Sequence, residues 1–287
     1  MADPIAVRLL RDRDLELLAE AAGQPASGEE ALRRLRADPE GVETLLAQPA
    51  AFEALFRPGH DDPLLLASPF LAFAVLVHRV AAELEGATFV EEWQAPNRTL
   101  PVFDVESLRG FLRPSRHRTL LAELLASYTR VASGTWWERT GRGWRRHRYS
   151  DLDPVRLAEL LPAVPPRDRA AVYRRLGDVA LFLSGVFPDH ASAHPLPPRQ
   201  LHRVALLLED ESGPAELSRA GGPQRGLWLL EWLGRRAYRL ALRSAGTPAA
   251  DLRALAEGFG HARRVLNLLT GRYLYPARER WFPAAGG

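Results

Sequence analysis

The chain of 287 residues contains no cysteine and no lysine, so all 38 of its basic residues are arginine. Without cysteine there is no thiol nucleophile, no disulfide framework and no cysteinyl zinc or iron–sulfur site. Without lysine there is no Walker-type phosphate ligand and no amine to form a Schiff base with pyridoxal phosphate. Isoleucine occurs once, at Ile5, asparagine only at Asn97 and Asn267, and methionine only at Met1. These residues have AT-rich codons or a single codon, so a very GC-rich genome accounts for their scarcity. Such a composition is a prior and carries no mechanism.

Other absences narrow the field. The chain has no G-x-S-x-G elbow, no H-E-x-x-H pair and no EF-hand loop. Gly258-Phe259-Gly260 lies in a helical pattern and lacks the third glycine of a dinucleotide fingerprint. No cofactor is implied. The first ten residues hold no continuous apolar core with a small-residue cleavage site, which predicts no signal peptide. The most apolar stretch, Pro63 to Val77, has fifteen residues, short of the roughly 20 needed to cross a bilayer. It predicts a buried core helix, no membrane partner and a cytoplasmic protein.

What is present is a 46% apolar content arranged mostly with helical periodicity. One helix is expected from Asp3 to Ala22, and another after Ser27 as N-cap. Shorter helices follow, broken near Pro39, Pro49 and Pro58. Ser68 and Pro69 read as N-cap and first position of a helix that runs to Glu85 and ends at Gly86. Residues 88–93 and 98–103 read as short extended segments. Helices resume near Asp104, after Pro114-Ser115, and at Asp153-Pro154. Further helices are expected at 167–184, stopping at Gly185, and at 199–208, 223–243 and 249–269. The run from Pro188 to Pro198 holds four prolines in eleven residues and reads as a linker. The expected fold is therefore mainly α, an irregular multi-helix bundle with one small β-hairpin or arm. An acidic helical subdomain (1–62) would precede a main helical domain (63–287).

Charge is unevenly placed. Residues 1–100 hold 9 arginines against 17 acidic residues, net −8, and residues 101–287 hold 29 against 18, net +11. Gly134 to Ser150 carries five arginines and one glutamate, net +4, so the other 270 residues sum to −1. If Thr140 to Gly143 forms the loop of a hairpin, Arg139 faces Trp144, Glu138 faces Arg145, Trp137 faces Arg146 and Trp136 faces His147. Arginines interleaved with aromatic rings suit a polyanion, because the cations neutralise phosphates while the rings stack on unpaired bases. Trp136, Trp137, Arg139, Arg142, Trp144, Arg145, Arg146 and Arg148 are the candidate contact residues. The competing structural reading is a solvated hairpin anchored by its tryptophans.

A second candidate centres on Asp178, set in an apolar helical run with Arg174 four residues earlier on the same face. A carboxylate in such surroundings needs a partner. Gly177 suggests close approach of another helix. His78 follows seven apolar residues and reads as a hydrogen-bonded core histidine; with Arg174 and Asp178 it defines an alternative interhelical pocket. His190 and His194 have metal-pair spacing only on a helix, which Pro188 and Pro195 argue against, so no metal site is expected. Glu91 and Glu92, adjacent on an extended segment, fall on opposite faces and do not form an acid–base dyad.

The stretch Arg175-Leu-Gly-Asp178-Val-Ala-Leu-Phe182-Leu-Ser-Gly185-Val-Phe-Pro188-Asp189 resembles a block in an uncharacterised group of bacterial helical proteins. Leu230 to Tyr238 and Leu266 to Tyr273 are similar to further blocks of that group. The resemblance implies that Gly177-Asp178, Gly185 and Pro188 belong to one structural unit, and it implies no activity. The sequence is thus read as a non-enzymatic binding or regulatory protein that contacts nucleic acid or an acidic protein surface through the Trp/Arg hairpin. An enzyme or small-molecule binder using the interhelical pocket is the alternative.

Overall fold

The structure, a computed structural model, describes residues 4–24, 28–56, 63–96, 98–130, 133–140, 143–210, 222, 224–244, 250–275 and 278–282. It is mainly α, as the periodicity implies, and among the described residues its strands form two two-stranded sheets. The chain divides into two compact units. The first comprises Met1–Val90, Val102–Thr129 and Gly271–Trp281; the second comprises Glu91–Pro101, Arg130–Thr270 and Phe282–Gly287. Residues 1–62 thus fall in the first unit together with later segments.

In the first unit, α1 (Pro4–Leu9), α2 (Asp12–Ala21), α3 (Glu29–Ala37), α4 (Pro39–Ala47), α5 (Pro49–Phe56) and α6 (Pro63–Leu66) lead to the long α7 (Pro69–Gly86). The single helix expected from Asp3 to Ala22 is two helices. Arg11 is extended, and the Asp14 carboxylate caps it by accepting from the Arg11 N–H at 2.8 Å. The other Asp14 oxygen accepts from the Ser68 N–H at 2.8 Å, in a site where Asp14 is 1% exposed. Two backbone donors, of which the Ser68 N–H is buried, thus share one carboxylate, which a continuous helix would not allow. Ser27 lies outside the described residues; α3 follows Gly28, whose φ of 99° favours glycine. The apolar run at Pro63 is also broken, into α6 and α7, with Ser68 Oγ accepting from Leu71 N–H as the expected N-cap.

Because α7 is apolar on nearly every side, it is buried from Phe70 to His78 and becomes the core of the first unit. It packs on α4, α5, α8 (Val105–Leu112) and α9 (Ser115–Ser127). Trp281 packs its ring on Phe73, with centroids 5.3 Å apart. Arginine closes several helix ends. The Arg109 guanidinium donates to Leu84 O, Glu85 O and Ala87 O at the end of α7, and Arg118 donates to Leu112 O and Arg113 O at the end of α8. Its planar fork reaches several orphan carbonyls at once, and its charge complements the helix C-terminus.

The second unit is built on α11 (Arg169–Val186), which packs lengthwise on α14 (Arg225–Ser244) and also on α10 (Pro154–Ala158), α12 (Pro188–Ala193) and α16 (Phe259–Leu269). Glycines set the approach. A Cβ at Gly177 would fall 2.4 Å from the Tyr238 ring of α14, and one at Gly185 2.7 Å from Leu266 of α16. Gly185 therefore does not stop the helix, as expected from local sequence; it is an interior contact, and the helix continues to Val186. The three blocks named above meet here, since α11 touches both Tyr238 and Leu266. Asn267 donates to Ser184 O and Gly185 O, covering carbonyls in the last turn of α11.

Two further expectations are corrected. The Pro-rich run is not structureless: Pro188 opens α12 and Pro198 opens α13 (Pro198–Leu207). Proline at the first helical position loses no hydrogen bond, because that N–H has no intrahelical partner. The helix expected over 249–269 is two, α15 (Ala250–Glu257) and α16, separated at Gly258. The extended segments become β1 (Val90–Ala95) and β2 (Arg98–Val102), paired with each other. The basic hairpin is β3 (Ser133–Thr140) and β4 (Gly143–Ser150).

Candidate functional site

Strands β3 and β4 are antiparallel in the register expected from the sequence. Trp136 pairs with His147, Trp137 with Arg146, Glu138 with Arg145 and Arg139 with Trp144, and the ladder extends to Thr140 opposite Gly143. Gly141 and the candidate residue Arg142 lie outside the described residues. The register agrees with local chemistry: β-branched and aromatic residues lie on both sides of the Thr-Gly-Arg-Gly sequence.

Cross-strand partners share a face and successive pairs alternate faces. One face therefore carries Thr135, Trp137 and Arg139 from β3 with Arg148, Arg146 and Trp144 from β4. It holds three arginines and no acid. The other carries Trp136, Glu138, Arg145, His147 and Tyr149, with Glu138 opposite Arg145. Thr135, on the first face, is exposed to solvent. On that face each tryptophan has an arginine opposite it and another two residues along its own strand.

The base of the ribbon is tied to the helical body of its unit. Arg175 of α11 donates to the Asp151 carboxylate at 3.0 Å, immediately after β4 ends. Asp153 accepts from the Val155 and Arg156 N–H groups and caps α10, as the Asp-Pro signal implies. The Asp153 N–H bonds Ser150 O at 3.0 Å, so strand and helix join through one tight turn.

Asp178 lies at the α11–α14 contact. One partner is a residue the local sequence did not indicate: the Tyr238 hydroxyl donates to Asp178 Oδ1 at 2.9 Å, and Arg174 Nε is 3.9 Å from Oδ2. Gly177, one position earlier, was the available signal, since it allows the Tyr238 ring to reach the carboxylate.

His78 belongs to the first unit and Arg174 and Asp178 to the second, and each is engaged within its own. His78 Nε2 is 3.4 Å from Glu43 Oε1, and the Arg118 guanidinium donates to the same oxygen. Burial, reinforced by the Arg118 charge, pushes the His78 pKa down to about 3, so the ring is neutral at physiological pH. Beside this triad a cavity of about 280 Å³ is lined by Glu40, Glu43, Thr44, Arg113, Ser115 and Arg118. Arg118 is already committed to Glu43 and to two carbonyls, so it serves as a clamp of α4 and α8 on α9. Glu43 carried no signal in the sequence, where it is one of many helical glutamates.

His190 of α12 stacks on His194, the residue just past the helix end, with ring centroids 4.5 Å apart. Burial, then the neighbouring His194, lowers the His190 pKa. Asp189 accepts from Trp93 Nε1 at 2.7 Å, and Glu92 of β1 pairs with Arg264. Among the described residues no group of three or more His, Cys, Asp or Glu is placed to hold a metal ion, and no helix is long and apolar enough to cross a membrane. Comparison of the chain with protein-family models, with curated proteins and with solved structures finds no match.

Proposed function

We propose that the protein is a non-enzymatic binding protein that engages nucleic acid through the Thr135–Arg148 face of the β3–β4 hairpin. The reading is supported by the segregation of charge across the ribbon. Three arginines and no acid share the face on which Thr135 is exposed, while the acid of the hairpin sits on the other face opposite Arg145. Phosphates gain most from cations that have no neighbouring carboxylate to neutralise them, and binding to them releases condensed counterions.

The test is binding of fluorescently labelled DNA and RNA across a salt series, with the far-UV spectrum as a control on folding. The R139A/R146A/R148A variant is expected to lose most of its affinity at low salt, and R145A, on the other face, to lose little. Absence of low-salt binding by the wild-type protein, or equal affinity of wild type and triple variant, would overturn the proposal. Direct binding of labelled poly-glutamate, with no nucleic-acid binding, would replace nucleic acid with an acidic polypeptide partner.

A further inference from the structure

We infer that the hairpin face selects single-stranded over double-stranded nucleic acid, an inference that rests on the nucleic-acid reading above. Trp137 pairs with Arg146, and Trp144 pairs with Arg139, so the two tryptophans occupy diagonal positions on one face. Diagonal positions on an antiparallel ribbon are about 7–8 Å apart. Stacked bases along one strand are separated by about 3.4 Å. Two neighbouring bases that each stack on one tryptophan must therefore separate to about twice their stacked rise.

In a single strand that separation costs only base–base stacking, which the rings replace. In a duplex it also breaks pairing and unwinds the partner strand. The arginines fit the same geometry. Arg139 and Arg146 occupy the register positions beside the two tryptophans, and Arg148 follows Arg146 one step further along β4, so cations border the ring positions as phosphates border bases. Side chains at only three register steps give a footprint of about two or three nucleotides. Such a footprint has little capacity for base-edge readout, so the preference is for strandedness and not for sequence.

The experiment compares a labelled oligo-dT 20-mer, a mixed-sequence duplex of equal length, and heparin, which offers anionic charge without bases. Wild-type protein, W137A/W144A, W137F/W144F and W136A are measured at one salt concentration, each checked for an unchanged far-UV spectrum. Oligo-dT is expected to bind at least tenfold more tightly than duplex. W137A/W144A loses about tenfold per ring on oligo-dT but keeps heparin binding, since stacking acts on bases alone. W137F/W144F, which keeps aromatic faces, recovers most of the loss, and W136A, on the other face, behaves as wild type. Equal affinity for oligo-dT and duplex, or oligo-dT binding indifferent to W137A/W144A, overturns the single-strand inference while leaving the polyanion reading intact if heparin still binds. Failure to bind all three ligands overturns the reading on which it rests.

Discussion

The Tyr238 hydroxyl of α14 donates to Asp178 Oδ1 of α11 at 2.9 Å, across the contact opened by Gly177. Asp178 is largely shielded, with 16% of its side chain exposed, and its ion pair with Arg174 spans 3.9 Å. A hydrogen bond to a carboxylate in such a place contributes more than a neutral one on the surface. Tyr238→Phe keeps the ring and removes only the donor, so unfolding free energy should fall by about 1.5–3 kcal/mol. Urea denaturation of both proteins at pH 7 measures the difference, and an unchanged midpoint would show the bond contributes nothing.

Two helical glycines, one at this contact and one away from it, carry opposite forecasts. Gly177→Ala places a methyl 2.4 Å from the Tyr238 ring, so the helices must separate or the ring must leave its place, at a cost of about 1–3 kcal/mol. Gly110, exposed on α8, has nothing within 4 Å of its would-be Cβ. Gly110→Ala should therefore stabilise by about 0.5–1 kcal/mol through helix propensity alone. Thermal melts of the two variants should move in opposite directions.

Asp14 holds two backbone donors, Arg11 N–H and Ser68 N–H, each at 2.8 Å. Asp14→Ala leaves the buried Ser68 N–H without that acceptor where water has little access, at a cost of about 1–3 kcal/mol, while the more exposed Arg11 N–H can turn to water. Asp14→Asn retains one side-chain oxygen and should recover part of the loss. Amide hydrogen exchange at Ser68 in a partly destabilised but folded variant would locate the effect.

His78 gives the protein a specific acid sensitivity. Its folded pKa, about 3, lies below the ordinary histidine value of 6.5. Between those values the unfolded chain binds the proton and the folded chain does not, so stability is full above about 6.5 and falls as pH drops towards 3. The slope approaches about 1.4 kcal/mol per pH unit. His78→Gln keeps a neutral donor facing Glu43 but cannot titrate, so the loss of stability between pH 7 and about pH 5 should be smaller by about 2 kcal/mol. His190, whose pKa is also lowered, is present in both proteins and cancels in the comparison.

Much of the local architecture was legible from the chain. The Ser68-Pro69 and Asp153-Pro154 starts and the ladder from Trp136–His147 to Arg139–Trp144 all formed where neighbouring residues place them. These features depend on chemistry within a few positions: a side-chain acceptor near free N–H groups, a proline with preset φ, a short Gly-containing sequence between strand-forming residues. The candidate hairpin face was legible for the same reason, because register and alternation convert a linear order of Trp and Arg into a two-dimensional one.

Other features were decided by packing. Gly185 looks like a terminator in the sequence and is an interior contact because Leu266 lies against it. Pro188 looks like a breaker and opens a helix. Asp178 takes its donor from Tyr238, sixty residues away, and His78 faces Glu43, whose other partner is Arg118. Local sequence specifies where a helix can begin and which stripe it must bury. Which stripe meets which is settled only when the whole set of helices closes around a core, since that choice depends on side-chain volumes and buried polar groups far apart in the chain.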